Sequence, residues 1–206
     1  MAINKDSSAF TFTFAIIMVI VVGAALSFTA MSLKPFQQAN VKKEKMKDIL
    51  ESIKIEDVSM SNSASLFKQY VKKRYNLNSK GEKIVEKDGE IKASDKNDPF
   101  NIDVKKEFRA LDAADRNYPL FECEKDGKTF YVIPMVGKGL WGPVWGYVAL
   151  KSDYNTIHGA IFDHKTETPG LGAEIKEGLF EDQFLGLTIM EGETFKSIKV
   201  HKGGSG

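Results

Sequence analysis

Tyr118-Pro119-Leu120-Phe121-Glu122-Cys123-Glu124-Lys125-Asp126-Gly127-Lys128-Thr129-Phe130-Tyr131-Val132-Ile133-Pro134-Met135-Val136 is the stretch that decides the fold. Two apolar runs, Tyr118–Cys123 and Thr129–Val136, flank Asp126-Gly127. A tight two-residue turn needs residues that tolerate positive φ, and Asp-Gly supplies them. The two runs are therefore expected to pair as an antiparallel hairpin. Val144–Leu150 reads as a further strand. Upstream, Lys83–Ile91 carries Asp88-Gly89, a second hairpin signal by the same reasoning.

Between these signals the chain is less regular. Ile91–Asp103 is polar and loop-like, Val104–Arg116 reads as a weak helix, and Leu66–Tyr75 fits a short helix or a strand equally. Ser59–Ser65 is a polar break. Phe36 to Ile55 reads as a charged amphipathic helix with Val41, Met46, Ile49, Leu50 and Ile53 near one face, a stalk. The whole is an α+β domain on an antiparallel sheet.

Ahead of the domain, Ala9 to Leu33 contains no charged residue. As a helix this segment is about 37 Å long, enough to cross a hydrocarbon core of about 30 Å. A cleaved signal peptide fits less well: the basic region is Lys5 alone, the apolar run is too long, and Ser27-Phe28-Thr29-Ala30 is a poor cleavage site. A single retained transmembrane helix is expected. Lys34-Pro35 ends the apolar block, because proline inside a helix forfeits a hydrogen bond. Lys34, Lys42, Lys43, Lys45 and Lys47 follow the span while Lys5 precedes it, a count that points the domain inward. Long domains cross membranes largely regardless of charge, so the side stays open on this ground. The expected division is 1–33 tail and transmembrane helix, 34–58 stalk, and 59–206 domain.

The formal net charge is +1, and removing residues 1–33 takes away one Lys and one Asp, leaving it at +1. A near-neutral domain with intermixed Lys and Glu lacks the basic footprint of a nucleic-acid binder. Cys123 is the single cysteine, which excludes an intrachain disulfide, a redox CxxC pair and a cysteine-ligated cluster, and reads as a small packing residue. His158, His164 and His201 have no zinc-site spacing, and no nucleophile motif is present, so neither a metal nor a catalytic residue is assigned.

Two loops concentrate glycine with aromatic or turn residues. In the first, Gly137, Gly139, Gly142 and Gly146 surround Trp141 and Trp145 at the entry to the strand at Val144. Glycine there lets backbone approach a flat ligand beside aromatic rings, or simply lets two strands cross under tryptophan packing. Glu167-Thr168-Pro169-Gly170-Leu171-Gly172-Ala173-Glu174-Ile175 is a turn whose amides and hydroxyl could bind a planar heterocycle or phosphate, or a plain helix-entry loop. Neither is a Rossmann fingerprint or a P-loop.

These strings, Gly139-Leu140-Trp141-Gly142-Pro143 and Glu167-Thr168-Pro169-Gly170-Leu171-Gly172, carry a resemblance. With Ser32-Leu33-Lys34-Pro35, Tyr131-Val132-Ile133-Pro134, Asn155-Thr156-Ile157-His158-Gly159 and Phe162-Asp163-His164-Lys165, it runs almost end to end. The chain resembles the covalent-FMN family formed by the C subunit of the sodium-translocating NADH:quinone reductase and the G subunit of the related ferredoxin-dependent complex. The resemblance implies an FMN-binding domain on the extracytoplasmic side of the bacterial inner membrane. It implies FMN as cofactor, single-electron transfer, and other membrane subunits of the complex and the lipid bilayer as partners. It places Trp141, Gly142, Glu167, Thr168, Gly170, Leu171 and Gly172 at the cofactor, with no acid/base residue in turnover. That family attaches FMN to the threonine of a Ser-Gly-Ala-Thr motif, which this sequence lacks: Ser205-Gly206 resembles only its start. The expectation is a truncated form that retains no covalent flavin. Alternatives from other classes are an anchored ligand-binding or sensor domain and a flavin-free scaffold subunit.

Overall fold

The computed structural model describes residues 7–198, so Lys5, His201 and Ser205 lie outside the described residues. The chain divides into two units at residues 42 and 43. Helix α1 spans Ser8–Ser52 with Pro35 inside it. The division expected at residues 33 and 34, into a transmembrane helix and a separate stalk helix, is thus corrected to one continuous helix. Proline forfeits one backbone bond at a cost of about 3 kcal/mol, and the helix-forming residues on either side carry the helix through it.

Within the first unit, apolar side chains such as Phe12, Val19, Phe28 and Met31 have no protein cover. α1 is the one described helix long and apolar enough to cross a membrane, with a mean hydropathy of 2.5 over its best window. The Thr29 hydroxyl donates to the Ala25 carbonyl at 2.8 Å and Ser32 to Phe28 at 2.9 Å. In hydrocarbon such back-bonding satisfies hydroxyls that have no water to turn to.

The second unit begins inside α1, so residues 34–58 are not all stalk. Ile49, Leu50, Ile53 and Ile55 are buried in the main core, whereas Val41 is exposed. The helix stops at Lys54, which adopts φ 57°. Ile55 N–H donates back to the Leu50 carbonyl at 3.1 Å and Lys54 N–H to Glu51 at 2.8 Å, the paired bonds of a Schellman ending.

The ambiguous stretch after it resolves into both options in turn: helix α2 at Ser63–Tyr70, then strand β1 at Val71–Leu77. β2 (Lys83–Asp88), β3 (Tyr118–Lys125), β4 (Lys128–Lys138), β5 (Pro143–Lys151) and β6 (Ile157–His164) complete an antiparallel sheet ordered β2-β1-β3-β4-β5-β6. The Asp126-Gly127 hairpin forms as expected: Asp126 and Gly127 take φ of 52° and 70°, and Lys125 pairs with Lys128. Asp88-Gly89 does not turn between strands. The β1–β2 connection lies at residues 78–82, and Asp88-Gly89 instead leads out of β2, its carbonyls accepting from Arg74. The weak helix is shorter than expected, α3 at Val104–Ala110.

The period of two along each strand splits the apolar residues between two cores. Phe121 and Cys123 on β3, Phe130 and Val132 on β4, and Tyr147 and Ala149 on β5 face the end of α1, where Phe67, Phe100 and Phe121 meet edge to face. Val148, Leu150, Ile157 and Ala160 form a smaller core with Phe162, Phe184 and Ile189. Gly159 makes close helix–sheet packing possible, since a Cβ there would collide with the Ser52 carbonyl. Arg74, 1% exposed, pairs with the buried Asp98 through Nε and Nη2 at 3.0 and 2.8 Å. The Asp98 carboxylate also accepts from Phe100 N–H at 2.9 Å, so the loop between β2 and α3 is pinned to the sheet.

Candidate functional site

Strand adjacency brings the two glycine-rich loops together. β4 ends at Lys138, and residues 139–142 turn the chain into β5 with Gly139 N–H donating to the Gly142 carbonyl at 2.8 Å. Val144 of β5 pairs with His164 of β6, so the chain leaving β6 emerges beside that turn. Lys165 N–H then donates to the Pro143 carbonyl at 3.2 Å. The crossing-strand alternative for Gly137–Gly146 therefore gives way to a tight hairpin turn next to the second loop.

Glu167 fastens them. Its side chain, in a residue 9% exposed, accepts from Trp141 N–H at 2.9 Å and Gly142 N–H at 3.2 Å through Oε1. Charge-assisted bonds of this kind are roughly twice as strong as neutral ones. The Thr166 hydroxyl donates to the Trp141 carbonyl at 2.8 Å, and Glu167 N–H donates to His164 Nδ1 at 3.2 Å. That bond fixes the neutral imidazole as the Nε2–H tautomer, and Nε2 is buried without a partner in the described structure.

The glycines here are spatial requirements. A Cβ on Gly139 would strike Glu167 Oε1, one on Gly142 would strike the Thr166 hydroxyl, and one on Gly172 would lie 2.7 Å from Glu167 Oε2. Gly170 has a different role, taking φ 74° in the turn. Leu171 and Ala173 N–H both donate to the Thr168 carbonyl at 3.1 Å, and Gly170 N–H donates to Glu174 Oε1 at 2.8 Å. The short turn Gly172–Lys176 and helix α4 (Gly178–Glu181) follow.

Of the residues expected at the site, Trp141, Gly142, Glu167, Thr168, Gly170, Leu171 and Gly172 all fall in these two adjoining bends. Their roles divide. Glu167 and Gly172 are turned into the joint, while Trp141 is 67% exposed, Leu171 73% exposed, and Thr168 exposed. Leu140, 83% exposed, adds to the apolar surface. Thr166 and His164 belong to the joint and carry no local signal of it in the sequence; Gly139 is marked by the glycine-rich loop, but its place against Glu167 is revealed only by the β5–β6 pairing. Large apolar side chains are thus left exposed on a hydrogen-bonded pair of bends, the kind of surface that marks a binding site.

A solved structure of the C subunit of the Na(+)-translocating NADH-quinone reductase from Parabacteroides distasonis superimposes with a TM-score of 0.70 at 38% identity, covering 84% of this chain and 79% of that one. The chain belongs to that C-subunit family. The corresponding C subunits of Vibrio alginolyticus and Neisseria meningitidis serogroup B are 27% and 28% identical over 100% and 97% of this chain, and over 82% and 80% of their own lengths. The FMN-binding domain family matches residues 139–205, a range that starts at the first of the two bends and includes the second. The α+β architecture with an antiparallel sheet agrees with the sequence reading. Family membership together with the apolar helix gives the chain a membrane location.

Proposed function

We propose that this chain is the FMN-carrying electron-transfer subunit of a membrane-bound, sodium-translocating NADH:quinone reductase, acting with the complex's other membrane subunits. The segment Ala9–Leu33 anchors it in the lipid bilayer of the bacterial inner membrane, and the domain stands on the extracytoplasmic side.

The observation that carries the reading is the Glu167 joint. It draws the Trp141 bend and the Thr168 bend into one wall whose outward side chains are apolar and uncovered. The residues fit an isoalloxazine ring: Trp141, Leu140 and Leu171 offer apolar contact, the Thr168 hydroxyl offers a hydrogen bond, and Gly170 leaves open space above the turn. Bound FMN would supply reversible electron uptake. The protein's contribution is positioning. Glu167 and Thr166 hold the bends, Trp141 and Leu171 orient the ring and exclude water from one face, and no side chain needs to move a proton for the chain to relay electrons.

Titrating the full chain in detergent with FMN, and following quenching of flavin fluorescence, tests this. Trp141→Ala and Leu171→Ala are each expected to weaken binding about tenfold, the equivalent of losing one apolar contact of about 1.4 kcal/mol. Ile84→Ala, on the edge strand β2, leaves it unchanged. Equal affinity in all four proteins refutes the assignment of the site.

A further inference from the structure

At the opposite end of the sheet from the two bends lies a hollow of about 680 Å³ lined by the Asp126-Gly127 turn, the end of β5 and the start of β6. β4 has eleven residues between the two ends. At the strand rise of about 3.3 Å per residue they are roughly 33 Å apart, so this is a separate place on the molecule.

Cations surround the hollow. Lys125, Lys128 and Lys151 all line it, and none of the three forms an ion pair among the described residues. Asp126 is the one carboxylate in the lining, so three lysines less one aspartate leave a net charge of +2. Lys54, next to it, is already matched by Asp182 at 3.0 Å. The Lys125 ammonium is fixed at the rim, because it donates to the carbonyl of Lys54 at the end of α1. An ammonium has three donors, so two remain to face a ligand.

His158 forms the wall. Its ring stacks on Phe130 with centroids 4.1 Å apart, which holds it in place. Its Nε2 is buried with no hydrogen-bond partner among the described residues. That nitrogen is left to accept a hydrogen bond when bare or to donate one when it carries the ring proton. A buried polar atom without a partner costs free energy that a ligand can recover.

We propose that this hollow is a binding site for a phosphate monoester or inorganic phosphate, gripped by Lys125, Lys128 and Lys151 and hydrogen-bonded to His158 Nε2. Phosphate suits the arrangement better than a permanently deprotonated anion. Near neutrality inorganic phosphate keeps a P–OH in both its mono- and dianion, and a monoester keeps one in its monoanion, so each can donate to a bare Nε2 or accept from a protonated one, with the proton held in the bond either way. Burial, followed by Lys125, Lys151 and Lys54, holds the His158 pKa below its ordinary value, and the Ile53 carbonyl works against them. The other charged groups nearby are Lys128 and Asp126 in the same lining and Asp182, which is paired with Lys54. A bound dianion offsets the lysines, so the His158 pKa rises on binding.

The test is imidazole NMR on the full chain in phosphatidylcholine nanodiscs, with inorganic phosphate as the probe and sulfate as the control. Phosphate is expected to shift the His158 signals saturably and raise their titration midpoint, with sulfate much weaker. A Lys128→Gln/Lys151→Gln double variant, altered only at exposed side chains, is expected to bind at least about tenfold more weakly. Nanodiscs containing phosphatidic acid and no added phosphate separate the sources. If they reproduce the shift, the ligand is a lipid headgroup; if only dissolved phosphate does, it is a soluble phosphate. Absence of a saturable shift with either source overturns the proposal. So does a sulfate response equal to that of phosphate, or undiminished affinity in the double variant.

Discussion

Replacing Glu167 with alanine removes the one carboxylate that joins the two bends. Two backbone N–H groups, those of Trp141 and Gly142, lose a charged acceptor at 2.9 and 3.2 Å. Each charged hydrogen bond is worth about 1.5–3 kcal/mol. The second, longer bond belongs at the low end, and both amides recover some hydration because Trp141 is largely exposed. The net loss is then about 2–4 kcal/mol, felt as local opening of the bend more than as global unfolding. Hydrogen exchange resolves this amide by amide: protection at Trp141 and Gly142 should fall by about 30- to 700-fold, at 1.4 kcal/mol per tenfold. Core amides such as that of Val132, buried in the sheet, should change far less. Glu167→Gln keeps an acceptor oxygen and loses only charge assistance, so its effect is about tenfold. FMN affinity should fall in the same order, Ala more than Gln. If the Trp141 and Gly142 amides exchange in Glu167→Ala at the wild-type rate, the carboxylate does not hold the bends and the reasoning fails.

Other consequences concern the scaffold. Truncating Arg74 to alanine strands the buried Asp98 carboxylate and should lower unfolding free energy by about 3–5 kcal/mol in urea titration, with lysine failing to rescue the bidentate geometry. Asp153 accepts from the Thr156 hydroxyl and from the N–H groups of Thr156 and Asn155 in the β5–β6 turn, chiefly the hydroxyl bond holding its pKa down to about 2. Because the folded value is depressed, the turn's contribution is complete above the ordinary carboxylate value of about 3.9 and is lost as pH falls through about 2. A carboxyl NMR titration should show that midpoint; a value near 4 would contradict the turn geometry. Burial raises the Cys123 thiol pKa far above its ordinary range, so a thiol reagent should label it only after unfolding.

How far the sequence carries the structure depends on whether the deciding interaction is local. The Asp126-Gly127 hairpin is legible because positive φ at two adjacent residues is a local demand that those side chains meet. Asp88-Gly89 makes the same local demand, and Gly89 does take φ 61°, but its carbonyls are drawn to Arg74 from another strand. Pro35 signals a helix end locally and is overruled by the helix around it. Strand β6 is hidden because Ile157, Gly159 and Ala160 are buried on both faces of the sheet, so its sequence does not alternate. The candidate site follows the same division. Glycine, tryptophan and the Thr-Pro-Gly turn mark both bends. That Glu167 points inward, and that Thr166, Gly139 and His164 complete the joint, depends on β5 lying beside β6, a long-range pairing.

The proposed cofactor position is tested most directly by intermolecular NOEs between the aromatic and methyl protons of FMN's isoalloxazine and the side chains of the full chain. Contacts to Trp141, Leu171 and Thr168 together are the predicted result. Contacts confined to another surface, with those three side chains silent, would contradict the account.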